Sequence, residues 1–372
     1  MDSVTQFALG ATIGTAVLGR RVGLRKAAIT GGLLATLPDL DVFWPEDSPV
    51  DSFVTHRSAT HSLIMHTLFT PVLGEALRRT MTGLKDLPWR QGAVLAWSVV
   101  FLALTTHAFL DATTIYGTQL LWPLNRIPYA VGSMFIIDPL YTLPLLVMTM
   151  WALFQGQWRP LYGKWMIVSL FVTSTYLGWS MAAQTVIEDR GRKILAAHNQ
   201  DYSQIIATPM PLNTLLWRVI AVDGDRYYNI YLSMLDRDAT PPLYEHARLS
   251  PGVSCWFDQQ DEQIADVQRL AQFSQGFYSL IQKGDDMVYS DLRMGLTPFY
   301  AFRFKVADVL ENVITAERAS RLSGPRNGDG DWAWLKASVA GPVDVRPAEQ
   351  AQVVTSGEKS VASLGGAKNG RC

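Results

Sequence analysis

The first half of the chain is written in long apolar runs with short polar breaks, and the second half is not. Six apolar segments can be drawn, at about Val4–Leu18, Ala27–Leu37, Ser62–Leu77, Gly92–Leu110, Phe135–Phe154 and Trp165–Ala183. The last three approach the ~20 residues that a helix needs to span a bilayer. The first two are short and carry glycines, the pattern of a re-entrant pair or of helices buried inside a bundle, because only protein or a cavity can cover such backbone at membrane depth. Positive charge marks alternate connections: Arg20, Arg21, Arg25 and Lys26 follow the first segment, Arg78, Arg79, Lys85 and Arg90 the third, and Arg159 and Lys164 the fifth. The positive-inside rule places these three connections in the cytoplasm. The loops after the second and fourth segments, and everything beyond residue 183, then face the outer, periplasmic side.

From Gln184 the pattern changes. Asn213–Ile220 and Arg226–Met234 are rich in aromatic and branched residues and flank Asp223-Gly224-Asp225, a hairpin signal. Asp261–Ile281 reads as a helix, and the alternating aromatics of Phe299–Phe304 read as a strand. The expected fold is therefore mostly α: a polytopic membrane helix bundle over 1–183, then a soluble α+β domain with an antiparallel sheet over 184–345. Residues 346–372, Ala/Gly/Ser/Lys-rich and without periodicity, read as a disordered tail.

The overall totals conceal this division. Net charge is −1 and 48% of residues are hydrophobic, yet only 22 of the 65 charged side chains precede residue 184. A near-neutral chain gives no reason to expect a nucleic-acid partner. Two cysteines, Cys255 and Cys372, exclude a Cys-based metal motif and argue against a structural disulfide. The start, Met1-Asp2-Ser3, lacks the basic region of a cleaved signal peptide.

Ionisable residues then stand out by where they fall. Asp39 and Asp41 end the second segment, the stretch His56 to Ser62 leads into the third, His107 and Asp111 end the fourth, and Asp138 opens the fifth. On the topology above, all lie at one face of the membrane, where charged groups are costly and mark function by default. His107 and Asp111 are four apart and share a helix face. Asp39 and Asp41 flank one residue in a turn after Pro38, so both carboxylates can converge. Imidazole with carboxylate suits zinc, manganese or iron, and Arg57 suits a phosphate or carboxylate of a substrate. Structural readings compete. Asp138 before Pro139 is an ordinary helix cap, Thr60 can cap the third segment, and His66 reads as structural. His198 and His246 have no sequence partners and are expected on the surface of the soluble domain.

The Met1–Gln6 start with Leu9-Gly10-Ala11, Pro38-Asp39-Leu40-Asp41, the His56–Leu63 stretch, Thr106-His107 to Asp111, Tyr116–Leu120 and Phe135–Leu145 together resemble the bacterial inner-membrane family of membrane-bound metal-dependent hydrolases, the YdjM-like group. The resemblance covers the membrane half. It implies metal-binding roles for Asp39, Asp41, His56, His61, His107 and Asp111, and departs from the expected pattern at Ser58, where a glycine should follow His-Arg. A more distant likeness to zinc phospholipase C and P1-type nucleases implies phosphoester or lipid substrates.

The reading is a multi-pass hydrolase of the bacterial inner membrane using a metal-activated water. Zn²⁺ or Mn²⁺, as one or two ions, would be held by His61, His107, Asp111 and Asp39. Asp41 or His56 would complete a second site or act as general base, with Arg57 on the substrate. Membrane lipids are the expected partners, and an amphiphilic or lipid-linked molecule the substrate. Two rivals use the same residues: a non-enzymatic scaffold or regulatory binding protein, and an ion-coupled transporter.

Overall fold

In the computed structural model, which describes residues 1–236, 241–257, 262–311 and 313–354, the chain forms two compact units. The first holds residues 1–46, 55–183 and 211–214; the second holds 47–54, 184–210 and 215 onward.

The first unit is helical. Its helices are α1 (Ser3–Val22), α2 (Leu24–Thr36), α4 (Leu63–Thr80), α5 (Trp89–Ala112), α6 (Pro139–Gln155) and the first part of α7 (Pro160–Ala197); a short α3 (Pro49–Thr55) comes between α2 and α4 in sequence. Asp2 starts α1 by accepting hydrogen bonds from the Val4 and Thr5 amides. Gly23, at φ +86°, provides the reversal into α2. The two helices then pack backbone to backbone: a Cβ added to Gly31 would lie 2.1 Å from the Gly10 carbonyl, and one on Gly14 2.3 Å from the Ala27 carbonyl. Small residues four apart permit this approach.

Helix α1 is a core helix. Ala8, Leu9 and Ile13 pack with Leu110, Tyr141 and Leu145, Ala11 packs with Met148 and Tyr162, and Leu18 packs with Val99 and Leu104. Of the two readings of the short glycine-bearing segments, burial inside the bundle is therefore the one observed for α1. The outer helices instead expose apolar side chains, among them Phe69 and Val72 on α4, Phe109 on α5, Val147 and Phe154 on α6, and Ile167 and Phe171 on α7. Among the described residues, α5 (24 residues) and α7 (38 residues) are long and apolar enough to cross a membrane, while α6 is apolar and shorter. Helix α7 runs well past residue 183, where the apolar text stops, because Gln184–Ala197 remain good helix formers.

The second unit carries two four-stranded antiparallel sheets. Strands β1 (Gln204–Pro209), β2 (Leu216–Asp223), β3 (Arg226–Ser233) and β4 (Leu243–Ala247) form the first in sequence order. Asp223 pairs with Arg226, so Gly224 and Asp225 make the expected two-residue turn, with Gly224 at φ +51°. Helices α8 (Val253–Phe257) and α9 (Glu262–Phe273) follow, then β5 (Tyr278–Lys283), β6 (Asp286–Asp291), the small β7 (Gly295–Leu296) and β8 (Phe299–Tyr300) hairpin, β9 (Arg303–Leu310) and β10 (Val313–Arg321). The second sheet runs β10-β9-β6-β5. Helix α10 (Asp331–Ala340) and a 3-10 turn, Pro347–Gln352, complete the unit.

Three expectations for this half are corrected. The helix drawn to Ile281 ends at Phe273, because Gln275 and Gly276 adopt positive φ and release the chain into β5. The segment beginning at 346 is folded through its first residues: Arg346 and Glu349 are fully buried, and residues 355–372 lie outside the described residues. His246 is not a surface residue. Its Nε2 lies 2.7 Å from Glu349 Oε1 and its ring stacks on Tyr227. Glu349 also accepts from Asn229, Tyr231 and Arg346, whose guanidinium grips Asp331 in turn. Every member of this buried network is paired, which reads as the device that fixes the strand-to-turn packing.

Candidate metal centre

The site is assembled where three elements end. Asp39 and Asp41 lie on a 3-10 turn, Pro38–Phe43, that follows α2. His61 closes a second 3-10 turn, Ala59–His61, just before α4. His107 and Asp111 share one face of α5 near its C-terminus, as their spacing requires.

Four atoms from these elements converge. His61 Nε2 and His107 Nε2 are 3.0 Å apart. Asp39 Oδ1 lies 3.5 Å from each of them. Asp111 Oδ2 lies 3.3 Å from His61 Nε2 and 3.5 Å from His107 Nε2. All four fall within 4.8 Å of one another. Four ligands at zinc bond lengths of 2.0–2.1 Å stand at tetrahedron corners about 3.3 Å apart. The five distances above bracket that value.

The donor chemistry also fits a cation. His61, His107 and Asp111 are fully buried. Asp111 Oδ2 is buried and, beyond its ion pair with Arg57 Nε at 3.0 Å, receives no well-directed hydrogen bond, while both imidazole Nε2 atoms lie beside it. The tautomer of His61 follows from its neighbours. The Thr60 hydroxyl donates to Asp41 Oδ2 at 2.9 Å, so its contact of 2.9 Å with His61 Nδ1 must be one it accepts. The proton on Nδ1 leaves Nε2 with its lone pair facing the cluster. Burial pushes the Asp39 carboxyl up, but its hydrogen bonds to His107 and His61 outweigh that and hold it well below the usual carboxylate range. It is an anion at neutral pH.

Two expected ligands stand outside the cluster. Asp41 and Asp39 do not converge, because a 3-10 turn rotates about 120° per residue and two steps point them apart. Asp41 instead sits behind His61. Its Oδ2 accepts from the Arg57 amide and Thr60 and lies 3.7 Å from His61 Nδ1, while its Oδ1 is 2.9 Å from His56 Nδ1. His56 is thus Asp41's partner, partly exposed, with its ring edge-on to Tyr116.

Arg57 is committed as well. Its Nε lies 3.0 Å from Asp111 Oδ2, its Nη1 donates to Thr114, and the guanidinium stacks over Tyr116. It supports the ligand Asp111 instead of reaching outward for a substrate. Arg57 also carries the strained backbone of the turn, at φ +63°, while Ser58 is at φ −98°. The glycine expected at 58 is therefore not needed there; the left-handed position is one residue earlier. The cap of α4 is Ser62, not Thr60: its hydroxyl accepts from the Ile64 and Met65 amides and donates to the Trp122 carbonyl. Asp138 caps α6 ahead of Pro139, the structural reading of that pair.

Sequence reasoning missed Gln6, a fully buried α1 residue that donates to Asp111 Oδ1 at 2.9 Å and to the His107 carbonyl. A glutamine inside an apolar segment was the available signal. The Met1 amino group also pairs with Asp111 Oδ1. His66, buried in α4, donates from Nε2 to the Thr60 carbonyl and steadies the turn that holds His61.

Comparison with known proteins bears on the same half of the molecule. The family described as YdjM inner membrane protein matches residues 1–187. Protein YfhP of Bacillus subtilis (strain 168), described as uncharacterized, is 29% identical over 145 residues, which is 37% of this chain and 42% of that protein. The matched part thus spans about two fifths of that relative's length. No solved structure matches.

Proposed function

The chain belongs to the YdjM inner membrane protein family, and from the geometry of its Asp/His cluster we propose that it is a metal-dependent hydrolase of the bacterial inner membrane. The observation that carries this reading is the convergence of Asp39 Oδ1, His61 Nε2, His107 Nε2 and Asp111 Oδ2 within 4.8 Å. These four would hold one divalent cation, zinc or manganese. A cation so held supplies Lewis acidity and a water whose pKa is brought toward neutrality.

The remaining residues have separate tasks. Asp41, through Thr60, fixes the His61 ring and tautomer, the outer-layer role that tunes metal sites. Arg57 offsets the charge of Asp111 in a water-excluded setting. His56, paired to Asp41 and partly exposed, is the group placed to take up or release a proton beside the cluster. The exposed apolar faces of α4 to α7 support a multi-pass arrangement, and the clusters Arg20–Lys26, Arg78–Arg90 and Arg159–Lys164 favour, by the positive-inside rule, a cytoplasmic position for the opposite ends of these helices. The site and the C-terminal unit then face the periplasm. A cluster at the end of a membrane helix favours a phosphoester that is amphiphilic or lipid-linked.

The test is elemental mass spectrometry on detergent-purified protein, prepared without chelator, followed by a phosphodiester and lipid screen. About one zinc or manganese per chain is expected, lost in folded His61→Ala and Asp111→Ala. Hydrolysis is expected to fall at least about 100-fold in His56→Ala with its metal retained. Folded wild type without metal would end the proposal. Metal without hydrolysis across the screen would favour the scaffold reading.

A further inference from the structure

The turn that carries Asp39 and Asp41 sends its other side chains outward. Phe43 is 81% exposed and Trp44 71%, and Leu40 and Val42 are exposed with them. A second segment beside the cluster does the same. The loop after α5 is tied to the His61 stretch by the Gln119 amide donating to the Arg57 carbonyl, by the Leu63 amide donating to the Leu120 carbonyl, and by Ser62 on Trp122. Just beyond these ties Leu124 is 84% exposed, Ile127 is half exposed, and Arg126, the one charged residue of stretch 121–127, is exposed between them.

The turn lies at the level of the last turns of α5, where Asp39 meets His107, and the loop is tied to the stretch that carries His61. At that level Phe109, two residues from each α5 ligand and on the opposite helix face, is 52% exposed. The end of a candidate span, the turn and the loop thus each expose apolar side chains to the surroundings. A concentration of Phe, Trp, Leu and Ile in water would be an aggregation liability. Aromatic and aliphatic side chains with an outlying arginine match instead the boundary between acyl chains and anionic headgroups.

We propose that turn 38–44 and loop 121–127 are immersed together in that boundary and form a lipid-facing rim for the cluster. The bilayer is the occupant of this surface. On the hydrolase reading above, a molecule arriving at Asp39 crosses the rim laterally, which makes the substrate a membrane phospholipid or a phosphate-bearing lipid.

Depth measurement tests this without any activity. Spin labels at Phe43→Cys and Leu124→Cys, in full-length protein with Cys255→Ser and Cys372→Ser, are read in vesicles of phosphatidylcholine and phosphatidylglycerol. Lys85→Cys, exposed in the loop between α4 and α5, is the aqueous reference. At 43 and 124, relaxation by oxygen is expected to exceed relaxation by a water-soluble nickel chelate several-fold, with the reverse order at 85. Val42→Cys and Ile127→Cys replace any variant that does not fold. Nickel-chelate relaxation at either segment equal to that at 85 would overturn the rim. Metal analysis of the same vesicles reports separately: its failure removes the hydrolase reading and leaves the rim standing.

Discussion

At the scale of single residues, the centre separates atoms that face the cation position from atoms that hold those atoms still. Asp41 illustrates the second kind. Its carboxylate is fully used by His56, Thr60 and the Arg57 amide, and through Thr60 it dictates which nitrogen of His61 keeps a lone pair. Asp41→Asn is therefore expected to weaken metal affinity about 10–100-fold while leaving one ion per chain at saturating metal. A titration against a competing chelator measures this. Loss of stoichiometry at saturation would instead make Asp41 a ligand. The sequence, with its family resemblance, pointed to His61, His107, Asp111 and Asp39 as the set that converges, but not to Asp41 and His56 as a pair standing behind His61. His107 and Asp111 were legible because a helix imposes its period on the side chains. The divergence of Asp41 from Asp39 was not, because alternate residues converge or diverge according to the turn, and this 3-10 turn is held by contacts with residues 15 to 19 positions away. Gln6 and the Met1 amine reach Asp111 from more than 100 residues away, beyond what local spacing conveys.

At the scale of elements, the packing of α1 on α2 sets where the Pro38–Phe43 turn emerges. The pair touches through Gly10, Gly14 and Gly31 with no room for a methyl group. Gly31→Leu is expected to separate the helices, destabilise the first unit by about 3 kcal/mol or more and reduce metal content through displacement of Asp39. Thermal aggregation in detergent measures the first effect and elemental analysis the second. Wild-type stability in this variant would show that the helices can part without consequence. The apolar runs located these helices within a few residues, since burial and lipid exposure both demand apolar side chains. The short length and glycines of the first run set α1 apart from α6 and α7 but left two readings, a re-entrant segment or a buried helix, between which only its packing decides. In the C-terminal unit the Asp223-Gly224-Asp225 hairpin was legible from its turn chemistry. The helix end at Phe273 depended on two positive-φ residues, one of them a glutamine, that no period announces.

At the scale of the whole molecule, the second unit is not made from one continuous stretch. Residues 47–54 belong to it although they fall in the sequence between Asp41 and His56. Phe53 lies with ring centroids 4.8 Å from Phe273, 4.5 Å from Phe302 and 5.6 Å from Phe304, and Asp51 pairs with Arg269 at 2.7 Å. Phe53→Ala is expected to cost the second unit about 3 kcal/mol, visible as faster amide exchange in β5, β6 and β9 with α1 and α2 unchanged. Unchanged exchange in those strands would show that the aromatic cluster is not part of their stability. The boundary after Ala183 was legible from the change in charge density. The borrowed segment was not, since eight mixed residues in a loop carry no sign of the partner that buries them.

That borrowing limits how the chain can be divided. A fragment cut at residue 187, the end of the family-matched stretch, would keep Phe53 and Asp51 but lose the Phe273, Phe302, Phe304 and Arg269 side chains they meet. Its loop between Asp41 and His56 would then carry an uncovered phenylalanine. The remainder, beginning at residue 188, would lack a ring from its own aromatic cluster, so neither piece carries all of its own parts.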